Sequence, residues 1–289
     1  MIYLYFFLLV ISFAILFKSA DFFVSGASNI AVCLNIPKMV IGIVLVSLAT
    51  TAPEFAVSVQ AAFLNHPEIA LGNAIGSVIC DDGIALALAA IIAPVAIVIN
   101  CKMLKIAGVF LLSIDIIGYL MAKNGTVGRE EGAFFVILLV AYFWIILKSK
   151  KIRTYAYSQI PDVNSDPELC ELPLKTRLKK PILLFSLGLI GVILTSRIVL
   201  ESSIKIAEHF NISETIIGLT VIAIGTSLPE ISTCITAALK QEGEIAVGNI
   251  IGADILNVLW IIGVSAMVNP ITVDKDIINF SFPFMILIV

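Results

Sequence analysis

The chain alternates long apolar runs with short polar breaks almost from end to end. Runs of about 18 or more apolar residues have the length of a membrane-spanning helix. The pattern predicts helices over Tyr3–Val32, Pro37–Leu64, Ile69–Ile92, Lys102–Met121 and Glu131–Leu147. It predicts three more over Pro181–His209, Thr215–Lys240 and Ile245–Val268, with a further span beginning in Phe280–Val289. Asn65-His-Pro-Glu68 turns the chain after the second run, Pro94 ends the third and Lys123-Asn-Gly125 ends the fourth. No basic residue precedes the first run and no small-residue cleavage site closes it, so it reads as a membrane helix rather than a signal peptide.

Composition agrees: 60% of the 289 residues are hydrophobic and 13% are charged, which excludes a soluble domain and implies an all-α polytopic membrane protein. The one long polar stretch, Lys148 to Lys180, carries Lys148, Lys150, Lys151, Arg153, Lys175, Arg177, Lys179 and Lys180, with Pro161 and Pro167 working against regular structure. Basic residues concentrate on the cytoplasmic side, so residues 149–180 are expected to be a cytoplasmic linker and the N-terminus to lie outside. The plasma (inner) membrane is the expected location. Cys33, Cys80, Cys101, Cys170 and Cys234 lack metal-ligand spacing and read as packing residues. His66 and His209 fall near helix ends, away from any proton relay.

Shifting the sequence by 176 residues superimposes its two parts without a gap around two polar motifs. Val46-Ser-Leu-Ala-Thr-Thr-Ala-Pro-Glu-Phe55 meets Ile222-Ala-Ile-Gly-Thr-Ser-Leu-Pro-Glu-Ile231. Gly72-Asn-Ala-Ile-Gly76 meets Gly248-Asn-Ile-Ile-Gly252, and Pro94 meets Pro270. This is a duplication. The first copy, residues 1–148, holds an odd number of helices, so the second, residues 181–289, is expected to enter the membrane inverted. Inverted repeats with interrupted helices in matching places point to a transporter site at the midplane. Asn100 to Lys148 holds two helices where the second copy has only Asp276 to Val289, so the second repeat is expected to be truncated, lacking most of a ninth helix and all of a tenth.

The motifs supply the chemistry. A proline inside a membrane helix removes a backbone donor, which lipid tolerates only where the freed groups face protein or water. Glu54 and Glu230 stand beside these breaks, with Thr50, Thr51, Thr226 and Ser227. Ser77 and Asp81 lie four apart on the next helix, so they share a face. Their counterparts are Ala253 and Asn257, and Asp82 and Asp254 add carboxylates outside the symmetry. Asn73 and Asn249 are expected to satisfy loosened backbone groups. Gly72 and Gly76 permit close approach of a neighbouring helix. The candidate metal-ion ligands are therefore Thr50, Thr51, Glu54, Ser77, Asp81, Thr226, Ser227, Glu230, Asp254 and Asn257. All offer oxygen, which suits hard cations such as Na⁺ and Ca²⁺. Buried carboxylates without Lys or Arg in the same helices require a cation or proton to neutralise them.

At these residues the chain resembles the cation/calcium exchanger superfamily, whose best-known branch is the sodium/calcium exchangers. Gly225-Thr-Ser-Leu-Pro-Glu230 followed by Gly248-Asn-Ile-Ile-Gly252 looks like the second repeat of that family. Ala49-Thr-Thr-Ala-Pro-Glu54 departs from the usual Gly-Thr-Ser-x-Pro-Glu of the first. The resemblance implies ten helices in two inverted five-helix repeats, with alternating access to a site that exchanges Ca²⁺ for Na⁺. It also marks two departures. The Asn and Asp common at the positions of Asp81 and Asn257 are exchanged, and Ala253 replaces a serine ligand. The alternatives are H⁺-coupled exchange, a non-transporting remnant and an intramembrane aspartyl protease. The last is disfavoured because Asp81 and Asp82 are adjacent on one helix, with no Gly-x-Gly-Asp pattern facing them. The expected partners are inorganic cations and the lipid bilayer, not nucleic acid, with no enzymatic activity and no cofactor. Oligomeric state is not legible.

Overall fold

The computed structural model describes residues 2–33, 50–97, 101–148, 174–239, 241 and 243–289. Helix α1 is Ile2–Cys33. At about 1.5 Å per residue it is longer than the hydrocarbon core is thick, and its apolar spanning part is Ile2–Phe23. α2 is Ala52–Phe63; the expected helix upstream of it, from Pro37, lies largely outside the described residues. α3 runs Pro67–Ile92, with Pro67 in the first turn, where its missing N–H costs nothing. α4 is Cys101–Ala122 and α5 is Arg129–Lys148.

In the second part, α6 is Leu174–Phe210. Glu214–Thr226 (α7) and Leu228–Leu239 (α8) form one broken span bent by 44°. α9 begins as Gly243–Leu256, widens into a π-turn at Asn257–Ile262 and ends as Gly263–Val268. α10 is Ile277–Ile288. Two short strands, β1 (Thr126–Val127) and β2 (Ile271–Thr272), pair antiparallel with Thr126 opposite Thr272.

Among the described residues, five helices are long and apolar enough to cross a membrane, and the bent α7–α8 pair makes a sixth. The molecule is a helical, multi-pass integral membrane protein. Exposed Phe7, Val10, Val109, Ile137, Leu187 and Leu194 are the apolar surface that lipid covers.

One expected boundary is corrected. Pro181 was the predicted start of its helix, because proline favours a first turn. α6 instead begins at Leu174 and carries Pro181 in its interior. Leu174, Lys175, Arg177, Leu178, Lys179 and Lys180 are strong helix formers, so residues 174–180 belong to the helix and not to the linker. Residues 149–173 lie outside the described residues.

The core falls into two large clusters and a smaller third, in which Ala85, Ala89, Cys234, Ala237 and Ile250 join α3, α8 and α9. Leu71, Ile75, Leu111, Ile114, Phe135, Leu259 and Phe282 pack α3, α4, α5, α9 and α10 together. Leu16, Val57, Val199, Leu200 and Ile222 join α1, α2, α6 and α7. α3 touches both groups of helices, and glycines set how closely. A methyl on Gly72 would collide with the Thr215 carbonyl, and one on Gly76 with the Leu219 carbonyl; Gly218 returns the contact against Ile69. The small-residue pair therefore brings the backbones of α3 and α7 together, as expected. Gly26 and Gly188 do the same where α1 crosses α6, against the backbones of Phe185 and Phe23.

The 176-residue offset persists in geometry. α2 (Ala52–Phe63) and α8 (Leu228–Leu239) start and stop at equivalent positions. The π-turn of α3, Asp81–Leu86, is matched by that of α9, Asn257–Ile262. Asn65 and Gln241 both have left-handed backbone, with φ of 66° and 63°.

Candidate cation site

Each break is made the same way. Thr51 has φ −83° and ψ 5°, and Ser227 has φ −78° and ψ 3°. Both lie in the sparsely populated bridge region that turns the chain out of the helix. A new helix then starts: Phe55 N–H donates to the Thr51 carbonyl at 3.0 Å, and Ile231 N–H to the Ser227 carbonyl at 3.0 Å. Pro53 and Pro229 fall in the first turn, where no donor is needed. Glu54 and Glu230 occupy the same turn, at the positive end of the helix dipole, which favours an anion.

The structure brings the predicted residues of both halves together. Thr51, Glu54, Ser77, Asp81, Thr226, Ser227, Glu230 and Asp254 are fully buried, and Asn257 is 1% exposed. The halves are crossed: the Thr226 and Ser227 hydroxyls face Glu54, and Thr50 faces Glu230. Asp81 lies near Glu54, Glu230 and Ser227. Asp254, on α9, lies near Asp81, Asp82 and Glu230. Ala253, in the place of a serine, is buried at 1% exposure and offers no hydroxyl.

Asn73 braces the arrangement. Its Nδ2 donates to Ser58 Oγ at 2.8 Å and to the Glu54 carbonyl at 3.4 Å. Its Oδ1 lies 3.2 Å from the Thr226 hydroxyl, which also lies 3.0 Å from the Ile222 carbonyl. The amide thus ties the two broken helices together through backbone and hydroxyl. That is the role expected from sequence, although the Ser58 partner was not foreseen. His66, expected near a helix end, pairs there with Glu214 at 2.8 Å. Lys18 and Asp21 pair within α1 at 3.8 Å.

Both carboxylate oxygens of Glu54, Asp81, Glu230 and Asp254 form no hydrogen bond, nor do Ser77 Oγ, Ser227 Oγ and the Asn257 side chain. The ion pairs among the described residues involve none of them. Leaving several such groups buried and unmatched costs several kcal/mol each, so the donor set fits a cation held by oxygen. Among the described residues, no three His, Cys, Asp or Glu side chains converge on a single metal position. In this conformation hydroxyls and backbone carbonyls must complete any coordination shell. A cavity of about 400 Å³ reaches both breaks, with Thr50, Pro53 and Pro229 on its wall and Asp21 and Ser25 of α1 opposite.

Sequence reasoning missed Asp115. It is a carboxylate inside the apolar run of α4, fully buried and without a hydrogen bond. An ionisable residue in a membrane helix was signal enough to find it.

Residues 4–148 and 180–289 match the model of the family described as sodium/calcium exchanger protein. The chain belongs to the sodium/calcium exchanger family. Members of this family are ion exchangers rather than enzymes. The chain is 31% identical to sodium/calcium exchanger MaX1 of Methanosarcina acetivorans, a match covering 100% of this chain and 90% of that one. It is 33% identical to inner membrane protein YrbG of Escherichia coli (strain K12), covering 97% and 85%. Among solved structures it resembles the sodium-calcium exchanger NCX_Mj soaked with Na⁺ and Ca²⁺. That likeness has a TM-score of 0.59 at 25% identity and covers 100% of this chain and 88% of NCX_Mj.

Proposed function

We propose that the protein is an antiporter that exchanges Ca²⁺ for Na⁺ by alternating access to the oxygen-lined site between α2, α3, α7–α8 and α9. The observation that carries this reading is the meeting of unpaired, buried carboxylates from both halves, Glu54 and Asp81 with Glu230 and Asp254. Thr50, Thr51, Ser77, Thr226, Ser227 and Asn257 supply the neutral oxygens around them.

The mechanism follows from charge. An empty cluster of like-charged, desolvated groups is unfavourable, so the protein reorients only when cations have neutralised it. One Ca²⁺ or several Na⁺ ions satisfy that condition, and the two compete for the same oxygens. Competition makes the exchange obligatory. Residues 1–148 and 174–289 act as two inverted repeats joined by the 149–173 segment on the cytoplasmic side of the plasma membrane. The site sits where they meet.

Ion-substitution flux in reconstituted vesicles tests this. Ca²⁺ uptake should follow an outward Na⁺ gradient and stop when choline replaces Na⁺. Uptake driven by a pH gradient and indifferent to Na⁺ would transfer the coupling to H⁺. Asp81→Asn removes a carboxylate and keeps its shape. It should shift the Na⁺ and Ca²⁺ concentrations for half-maximal exchange by roughly tenfold, about 1.4 kcal/mol. Unchanged selectivity would remove Asp81 from the ligand set.

A further inference from the structure

Lys18 and Asp21 are the charged residues of the otherwise apolar helix α1. A charge within a membrane helix is costly unless it faces protein or water. Asp21 meets that condition, because it lines the cavity of about 400 Å³ that reaches both helix breaks. Ser25 of α1, Thr50 at the first break, and Ser232 and Thr233 of α8 line it too. Asp21, Ser25, Ser232 and Thr233 are all exposed, so polar groups from two helices make this a space that water fills. Gly26 packs on Phe185 and Gly188 on Phe23, so α1 and α6 run antiparallel, and Asp21 lies toward the end at which α6 begins. The α7–α8 span returns to that end, which places Ser232 and Thr233 on the same side of the break. In the topology proposed above this is the cytoplasmic side.

The repeat supplies a comparison. Phe17, Ala20, Leu228 and Ser232 on the wall of this cavity have counterparts, 176 residues away, in Ile193, Ser196, Ala52 and Ala56. Those four line a second cavity, of about 640 Å³. Phe23, Phe55, Phe185 and Trp260 stand on its wall, and none of its described lining residues is acidic or basic. Asp21 itself corresponds to Arg197, which pairs with Glu201 at 2.8 Å. One of the two related cavities therefore has the chemistry to admit a cation, and Asp21 supplies its charge.

Lys18 opposes that charge. Its ammonium lies 3.8 Å from Asp21 Oδ2 and 5.1 Å from the centre of the Phe22 ring. The two side chains are 66% and 70% exposed, and exposed pairs are weak. An arriving cation can displace the ammonium, for which the ring face is a second resting place.

We propose that Asp21 is the cation-capture residue of this cavity, with Lys18 as its tethered counter-ion. Asp21 raises the local cation concentration ahead of Glu54 and Glu230, and Lys18 lowers it. The pair sets how fast ions arrive and takes no part in holding them at the central site. The assignment rests on the exchanger reading above and adds an entry step to it.

Inside-out membrane vesicles from cells expressing the complete chain test this at low ionic strength. Initial uptake of radiolabelled Ca²⁺, well below saturation, is measured against internal Na⁺, and that of radiolabelled Na⁺ against internal Ca²⁺. A divalent ion feels twice the electrostatic energy of a monovalent one, so a factor of about two for Na⁺ becomes about four for Ca²⁺. Asp21→Asn should slow entry by these factors, and Lys18→Gln should speed it by similar ones. Both effects should vanish in about 1 M choline chloride, where the Debye length is about 3 Å. The opposite signs separate capture from a structural role, since loss of a stabilising pair would move both variants the same way. Changes of the same sign, or changes that survive high salt, would overturn the proposal. If Asp21→Asn fails to fold, Lys18→Gln decides: faster entry supports capture, and unchanged or slower entry overturns it. A wild type that exchanges neither ion would strike the central reading instead.

Discussion

Vesicles carrying Glu54→Gln or Glu230→Gln lose Ca²⁺ uptake driven by a Na⁺ gradient. Each glutamate is fully buried in the first turn after a helix break, and each faces hydroxyls of the opposite half. Glutamine keeps the volume but replaces an anionic oxygen with an amide that donates where a ligand must accept. Breaking a buried charge pairing of this kind costs about 3–5 kcal/mol, which corresponds to binding weaker by roughly two to three and a half orders of magnitude. Both variants should therefore fail in the same assay despite lying far apart in sequence. Wild-type uptake in both would end the assignment of these residues. Wild-type uptake in one alone would break the equivalence of the two halves.

Gly76→Val has the second largest effect, and it acts through assembly. A Cβ at Gly76 would collide with the Leu219 carbonyl and come within 2.6 Å of the Ala223 Cβ. Both belong to the helix that delivers Thr226 and Ser227. Backbone cannot yield as a flexible side chain does, and in lipid no hydrophobic force presses the helices back together. Overpacking typically costs about 1–3 kcal/mol, and the branched side chain against backbone belongs at the upper end. The variant should show a clearly lowered melting temperature in detergent and no exchange. Gly108→Ala is the control: nothing lies within 4 Å of that position, so its stability should stay within about 0.5 kcal/mol of wild type. Equal behaviour of the two variants would show that the α3–α7 approach is not what holds the site.

The helical membrane fold and the polar residues at its centre were legible because both are written in local pattern. Apolar run lengths mark the spans, and Pro-Glu in matching places marks the breaks. What escaped has no local signature. A π-turn differs from an α-helix only in which carbonyl an N–H reaches, so neither Asp81–Leu86 nor Asn257–Ile262 could be seen beforehand. The facing of Glu54 by Thr226 and Ser227 is a contact across 172 residues or more of chain, set by how α3 packs on α7. Asp115 was visible as a type of residue but stood outside the repeated polar motifs, and its neighbours come from two other helices. Pro181 misled for the opposite reason: its local preference is real, but six good helix formers ahead of it prevail.

The paired π-turns have a consequence for orientation. A π-turn holds one residue more than the α-helical turn it replaces, so the helix beyond it is rotated against the helix before it. The two turns lie at equivalent residues, 176 apart, and are opened by Asp81 on α3 and Asn257 on α9. On both helices, therefore, the face that meets the neighbours changes just past the polar side chain, and the apolar residues that follow are free to pack elsewhere.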